Sequence, residues 1–131
     1  MPKPTKTPTP PAEAPAKTRK RLGWVGASQG DFQGLPAAVK DQAGRLLLDL
    51  QYGDEVKAME PMSIVGAGVS ELKVDVGNGW FRVFVVMKFE EALYVLHSFQ
   101  KKTNQTPKRD IEIGQQRYAL LLSERNKRLK K

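Results

Sequence analysis

The sequence predicts one α+β domain in which a helical hairpin covers a small, mainly antiparallel sheet and a further helix follows the sheet. Three observations predict this architecture. Apolar residues recur at helical spacing between residues 28 and 53, three strand-like runs separated by turn signals lie between residues 69 and 99, and helical spacing returns after Pro107. With a short strand before the hairpin, the predicted order is β-α-α-β-β-β-α, and 131 residues are enough for a single modest core.

The first half of the chain supplies the opening strand and the hairpin. Residues 22–25 form a short apolar run that predicts a strand. Ser28 is predicted as a helix N-cap with Asp31 as its capping-box partner, and Pro36 suits the first turn of a second helix. Gly53 is the predicted C-terminal stop of that helix.

Residues 54–68 are predicted to form a loop. The loop contains the sequence Gly66-Ala67-Gly68, which lacks the third glycine of a phosphate-binding loop and does not open a helix. Nucleotide binding at this loop is therefore not expected.

Alternating side chains define the three strands of the sheet. The predicted strands are residues 69–76, 80–89 and 92–99, with a Gly-Asn-Gly turn after the first and a Glu-Glu turn after the second. Strict alternation places Arg82 on the same face as Phe84. It also places His97 with Val95 on one face of the last strand, and Leu96 on the other.

The last helix is predicted to begin near Thr106 and Pro107, as its N-cap and first-turn proline. Its apolar positions recur at helical spacing and should pack on the core. They are Ile111, Gly114, Tyr118, Leu121 and Leu122. Tyr118, Trp80 and Phe84 are predicted first as core residues, with stacking on nucleic-acid bases as the alternative for all three, and more so for Trp80 and Phe84.

The charge of the chain is concentrated at its two ends. The formal net charge is +8, with +5 in residues 1–21, −2 in residues 22–106 and +5 in residues 107–131. This asymmetry indicates contact with a polyanion, although a solvated helix end and a basic arm would give the same totals. Residues 1–21, rich in proline and lysine, are predicted to be a disordered arm, and residues 22–131 the folded domain.

Composition excludes several classes of function. The chain has no cysteine and one histidine, so disulfides, thiolate metal sites and a cysteine nucleophile are excluded and a metal site is not expected. It has neither an apolar run long enough to span a membrane nor a secretory signal, so a cytoplasmic protein without cofactor or membrane contact is expected.

Basic side chains on the second and third strands are the candidates for chemistry. Arg82 lies within a strand, where its planar fork suits a phosphate, and a cross-strand ion pair with Glu71 is the alternative. His97 suits proton transfer because its ordinary pKa is near neutrality, and the alternative is a neutral histidine that is hydrogen-bonded within the sheet. Lys101 and Lys102 follow at the end of the third strand, where a solvated charged loop is the alternative.

Three further basic residues are candidates for binding the nucleic-acid backbone. Lys73 shares a strand face with Glu71. Lys108 and Arg109 lie in the first turn of the last helix, where their charges oppose the helix dipole unless an anion is bound.

Several segments together resemble the RelE/ParE toxin superfamily, and most closely its HigB-like, phage-derived branch. They are G-A-G-V-S-E-L, W-F-R-V-F-V-V-M-K-F, Y-V-L-H-S-F-Q-K-K and T-P-K-R-D-I-E, within residues 22–123. The resemblance implies a toxin of a type II toxin–antitoxin pair that acts as a ribosome-dependent, metal-free endoribonuclease on messenger RNA. It implies catalytic roles for Arg82, His97, Lys101 and Lys102. The implied partners are the ribosome, its messenger RNA and a helix-turn-helix antitoxin, through which alone the toxin reaches operator DNA.

Two other functions remain compatible with the sequence. A ParE-type inhibitor of DNA gyrase would use the same fold without cutting RNA. A simple nucleic-acid-binding module would use the two basic ends of the chain and bind with a strong dependence on salt.

Overall fold

A computed structural model describes residues 18–77 and 79–129 of the chain. The strands are β1 (Arg21–Trp24), β2 (Met59–Pro61), β3 (Val69–Val76), β4 (Gly79–Val86) and β5 (Ala92–Lys101), and the helices are α1 (Ser28–Gln33), α2 (Ala37–Gln51) and α3 (Lys108–Leu129). The predicted α+β class and element order are confirmed. The short strand β2 is an addition, and it lies in the segment that was predicted to be only a loop.

The five strands form one sheet in the order β1-β5-β4-β3-β2. Strand β1 is parallel to β5, and the other neighbours are antiparallel. The described fold starts before residue 22, because Arg21 opens β1 and the Lys20 amide donates to the Gln51 carbonyl over 2.8 Å. Residues 1–17 of the predicted arm lie outside the described residues.

The two faces of the sheet carry separate apolar cores. On one face, α1 and α2 contribute side chains such as Phe32, Val39 and Leu47, which cover the odd-numbered residues of β4. On the other face, α3 contributes Leu121, which packs with Phe84 and its neighbours. The helical hairpin therefore covers the sheet as predicted, and α3 covers part of the opposite face.

A β-bulge at Leu96 overturns the predicted alternation in β5. Phe84 pairs with His97, but the next residue, Val85, pairs with Val95, so Leu96 is an extra residue in the ladder. Val95 consequently faces the helical hairpin, whereas Leu96 and His97 both lie on the α3 face. The prediction that His97 and Val95 share a face was wrong.

Two predicted helix caps are also wrong, and one is confirmed. The Ser28 hydroxyl accepts the Val25 amide over 2.9 Å, and α1 has no side-chain cap at its N-terminus. Thr106 donates to a strand carboxylate instead of capping α3, which begins after Pro107. Gly53 follows the end of α2 with φ +80°, as expected for a glycine stop.

The glycine loop before β3 has a structural role. A Cβ on Gly66 would lie 2.6 Å from the Tyr118 ring, so only glycine allows the loop to approach α3 this closely. The Tyr118 hydroxyl donates to the Ala67 carbonyl over 2.8 Å, and its ring packs against the core of the α3 face. Among residues 18–77 and 79–129, no helix is both long and apolar enough to cross a bilayer.

Candidate nucleic-acid interface

The α3 face of the sheet changes from apolar to charged towards the end of β5. Cross-strand pairs define three successive rows on this face, since directly opposed residues in antiparallel strands point the same way. The rows are Glu71–Phe84–His97, Lys73–Arg82–Phe99 and Asp75–Trp80–Lys101. The bulge brings His97, Phe99 and Lys101 onto the face that carries Arg82. We call the last two rows, together with Glu60 of β2, the charged face.

Arg82 lies at the centre of the charged face and is only 7% exposed. Its Nη1 donates to Asp75 Oδ1 and to the Phe81 carbonyl, each over 2.8 Å. Its Nε lies 3.7 Å from Glu71 Oε1, which is too far for a hydrogen bond, and this buried nitrogen has no other partner. The cross-strand ion pair with Glu71 is therefore present, but it leaves part of the guanidinium unsatisfied.

Glu71 is held from the opposite side by the segment that leads into α3. Its carboxylate is buried, with the side chain 4% exposed, and Oε2 accepts a hydrogen bond from Thr106 Oγ1 over 2.9 Å. Because Thr106 lies two residues before α3, this bond fixes the start of the helix against the sheet beside Arg82.

An exposed tryptophan and two lysines lie beside Arg82. Trp80 is 44% exposed and pairs with Lys101, the half-buried last residue of β5. Lys73 forms an ion pair with Glu60 across β3 and β2. The hydrogen bond and charge of Lys73 lower the pKa of Glu60, and the charges of Lys101 and Arg82 act in the same direction. Three cations from three strands thus act on one carboxylate.

His97 is enclosed by α3 and is not part of the open charged face. Its side chain is 7% exposed, and Nε2 lies 2.7 Å from Asp110 Oδ1 in the first turn of α3. The ring stacks on Phe99 with centroids 5.0 Å apart. His97 is hydrogen-bonded, as in the alternative prediction, but its partner Asp110 belongs to α3 and not to the sheet.

The second ring nitrogen of His97 faces an arginine–carboxylate pair. Nδ1 lies 3.5 Å from both Asp31 Oδ2 and Arg117 Nη1, and Arg117 forms an ion pair with Asp31. Arg117 also donates to the Leu96 carbonyl over 3.0 Å, so it satisfies the backbone of the bulge. His97, Asp110, Arg117 and Asp31 therefore form one polar cluster that joins α1, β5 and α3, which we call the clamp.

The remaining predicted basic residues border the charged face. Lys102 is exposed in the loop that follows β5, and Lys108 and Arg109 are exposed in the first turn of α3. Asp110 belongs to the same turn and partly offsets the charge that these two cations place at a helix N-terminus. The structure thus brings Arg82, Lys101 and Lys73 together, places Lys102, Lys108 and Arg109 at the rim, and separates His97 behind α3.

Sequence reasoning missed several residues of this region. Asp75 carried a detectable signal, because it is a charged residue on the same strand face as Glu71. Asp110 follows a basic pair, and Asp31 was assigned to a capping box. Arg117 gave no local signal, and Thr106 was predicted only as a helix cap, because the partners of both are distant in the sequence.

The charged face has the groups that metal-free cleavage of RNA requires. RNA provides its own nucleophile, the 2′-hydroxyl, so a protein has to accept its proton, stabilise charge on phosphorus and protonate the leaving oxygen. Arginine and lysine serve the second and third tasks, and the carboxylates of Asp75 and Glu60, at 54% and 57% side-chain exposure, are accessible for the first. Across the described residues, no group of three or more acidic or histidine side chains has a metal-binding arrangement.

Comparison with known proteins identifies the family. Residues 30–119 match the model of the phage-derived Gp49-like proteins (DUF891). No curated protein matches the chain significantly. Among solved structures, a mutant of the E. coli toxin RelE in the free state superposes with a TM-score of 0.53 at 10% identity, over 82% of this chain and 98% of the RelE chain. These findings confirm the predicted resemblance to the RelE/ParE superfamily: the chain belongs to the phage-derived Gp49-like family and has the RelE fold.

Proposed function

We propose that the chain is the toxin of a type II toxin–antitoxin pair and that it cuts messenger RNA on the ribosome without a metal ion. The family and fold support a toxin. The observation that carries the nuclease assignment is Arg82, a nearly buried arginine with an unsatisfied Nε at the centre of an exposed face that also presents Trp80 and Lys101. A HigB-like, phage-derived toxin that works in the cytoplasm is the finer form of this proposal.

In the proposed reaction, an exposed carboxylate of the charged face, Asp75 or Glu60, accepts the proton of the 2′-hydroxyl as its oxygen attacks the scissile phosphorus. Arg82 binds the scissile phosphate and stabilises the charge that develops on it. Lys101 lies in the adjacent row and protonates the departing 5′-oxygen, and Lys102 assists it from the loop. Lys73, Lys108 and Arg109 bind the flanking RNA backbone, where each lysine or arginine adds salt-dependent affinity. The product is a 2′,3′-cyclic phosphate or its hydrolysis product.

His97 retains a place in the proposed site, but as a positioning residue. Its Nε2 is engaged by Asp110 and its ring supports Phe99, the cross-strand neighbour of Arg82. Loss of His97 would therefore displace the site without removing a group that touches RNA.

Primer extension on a defined messenger RNA with purified ribosomes tests the proposal. We expect wild-type protein to give cuts in the ribosomal A site and Arg82→Ala to reduce the cutting rate by about 10²-fold, the usual cost of removing one donor to a developing oxyanion. Arg45→Ala is the matched control, because Arg45 is an 80% exposed arginine paired with Asp41 on α2, on the opposite side of the sheet.

Absence of cuts from a folded wild-type protein would contradict the nuclease assignment. Inhibition of gyrase supercoiling by the same protein would then favour the ParE-type alternative. Binding of RNA or DNA without cleavage or gyrase inhibition would favour the simple binding module.

The proposed partner is a small antitoxin with a helix-turn-helix domain, which would carry the toxin to operator DNA. Co-expression with the neighbouring short reading frame should yield a stable complex that suppresses the primer-extension cuts. A mobility shift of operator DNA that the two proteins produce together, and that the toxin alone does not produce, would establish the indirect DNA contact.

A further inference from the structure

The arginine proposed to bind phosphate already holds a carboxylate in its place. Asp75 Oδ1 lies 2.8 Å from Arg82 Nη1, a distance at which an arginine also holds a phosphate oxygen. We propose that Asp75 is an internal competitor that occupies the phosphate subsite of Arg82 in the free protein and is displaced by an RNA phosphate. The inference rests on the proposed function, because it concerns the same site.

The two carboxylates beside Arg82 differ in how firmly they are held. Glu71 has a side chain that is 4% exposed, and it accepts a second bond from Thr106. The side chain of Asp75 is 54% exposed, and the one hydrogen bond and ion pair described for it are with Arg82. Glu71 is therefore fixed beside the guanidinium, whereas Asp75 has room to turn into solvent once another anion takes its place on Arg82.

The guanidinium has donors to spare for a ligand. An arginine carries five N–H groups, and the hydrogen bonds of Arg82 to Asp75 and to the Phe81 carbonyl both come from Nη1. Nε is buried without a hydrogen-bond partner, and Nη2 makes no described hydrogen bond. An RNA phosphodiester has two non-bridging oxygens, so one can take the place of Asp75 on Nη1 while the other accepts from Nη2 of the same guanidinium.

The surroundings of Asp75 favour a polyanion over a single small anion. Asp75 pairs with Trp80, and Trp80 pairs with Lys101, so the subsite is adjacent to an exposed aromatic ring and a second cation. A lone anion has to displace Asp75 on the strength of Arg82 alone. An RNA strand adds a stacked base and a neighbouring phosphate. Asp75 therefore lowers the affinity of the subsite for a single small anion more effectively than its affinity for RNA.

Fluorescence anisotropy with a labelled, fully 2′-O-methylated RNA oligonucleotide measures this competition without cleavage. Asp75→Asn retains the size of the side chain and removes its charge. We expect it to tighten binding about fivefold, which corresponds to about 1 kcal/mol at 1.4 kcal/mol per tenfold. The gain should disappear when Arg82→Ala is combined with it.

Asp41→Asn is the control for a general change of net charge. Asp41 also pairs with an arginine, but it lies on α2 with 76% of its side chain exposed. The inference would be overturned if Asp41→Asn increased the RNA affinity by a similar factor, because the effect would then be nonspecific. It would also be overturned if Asp75→Asn increased the RNA affinity undiminished in the Arg82→Ala background. An affinity of Asp75→Asn that is unchanged, weaker or unmeasurable beside wild type would overturn it as well.

The outcomes separate this inference from the proposed function. If wild type cuts RNA on the ribosome but Asp75→Asn does not change the affinity for RNA, the competitor role of Asp75 is refuted and the nuclease assignment stands. If Asp75→Asn gains RNA affinity in an Arg82-dependent way but the wild-type protein does not cut RNA, the anion subsite is supported and the nuclease assignment is refuted.

Discussion

Replacement of His97 by alanine is predicted to destabilise the fold before it affects any chemical step. The side chain is 7% exposed, and it is the point where the clamp meets the sheet. The substitution removes the 2.7 Å contact with Asp110 and the ring that stacks on Phe99. It also removes Nδ1, which lies 3.5 Å from both Arg117 Nη1 and Asp31 Oδ2.

The expected loss is about 2–4 kcal/mol in the free energy of unfolding. A hydrogen bond to a charged group contributes about 1.5–3 kcal/mol, and the cavity left by a buried ring adds to it. The partial exposure of Asp110 and Asp31, at 16% and 32%, keeps the total below that of a fully buried charge cluster, because water can reach both carboxylates. Typical domains unfold at 5–15 kcal/mol, so the variant should remain folded at 25 °C.

Urea unfolding followed by circular dichroism, combined with the primer-extension assay, tests this role. We expect His97→Ala to lower both the stability and the cutting, and His97→Gln, which retains an amide donor for Asp110, to recover a substantial part of each. Asp110→Asn should lower stability in the same direction while it leaves the imidazole in place. A His97→Ala protein with wild-type stability and no cutting would refute the positioning role and return His97 to proton transfer.

Two further predictions concern the packing of α3. Gly66→Ala should lower the free energy of unfolding in urea by about 1–3 kcal/mol, because its Cβ would lie 2.6 Å from the Tyr118 ring. Gly30→Ala is the control and should not destabilise the protein, because a Cβ at Gly30 would meet nothing within 4 Å. Equal effects of the two substitutions would contradict the close approach at Gly66. The hydrogen bond from Arg125 lowers the pKa of Glu91 to about 2 from 4.5, so the stability that this carboxylate contributes is complete above about pH 4.5 and is lost as the pH falls towards 2. Glu91→Gln should therefore be less stable than wild type at pH 7, and the difference should vanish near pH 2. The difference should be small, because the Glu91 side chain is 37% exposed. A difference in stability that does not change with pH would refute the assigned ion pair between Glu91 and Arg125.

Periodicity in the sequence was sufficient to predict the longer elements. Strand β3 has the predicted bounds, because its apolar and charged side chains alternate without interruption and a glycine turn ends it. Helix α2 ends near Gly53 as predicted. Strand β2 was missed because its three residues are too few for a periodic pattern, and it exists only through its pairing with β3.

The bulge at Leu96 could not be predicted from local pattern. The first half of β5 is a continuous apolar run that favours neither face, and the extra residue is stabilised by Arg117, 21 positions along the chain. A slip of one residue exchanges the faces of every later side chain in a strand. The bulge thus decides that His97 and Lys101 lie on the same face as Arg82.

The candidate site was predictable only where a charge contradicts its surroundings. Arg82 is a cation within an apolar strand, a pattern that predicts a ligand or a cross-strand partner, and the structure places Glu71 beside it. The clamp was not foreseen because its members are distant in the sequence, with Asp31 and Arg117 separated by 86 positions. Charged residues that find partners through tertiary contacts leave no local signature.

Hydrogen-bond satisfaction separates the residues that hold this fold together from those that are available to a ligand. In the clamp, the bulge carbonyl, the imidazole and both carboxylates have partners. Among the described residues, the buried side-chain atoms without a hydrogen bond are Arg82 Nε and Ser98 Oγ. Ser98 pairs with Val83 on the face that the helical hairpin covers, so it lies away from the open surface. Native proteins satisfy nearly all buried polar groups. The bonds of Arg82 come from Nη1 and leave Nε unmet, so part of a charged group lacks a partner beside an accessible face, and an anionic ligand is expected there. The unmet Ser98 hydroxyl is neutral and gives no such indication.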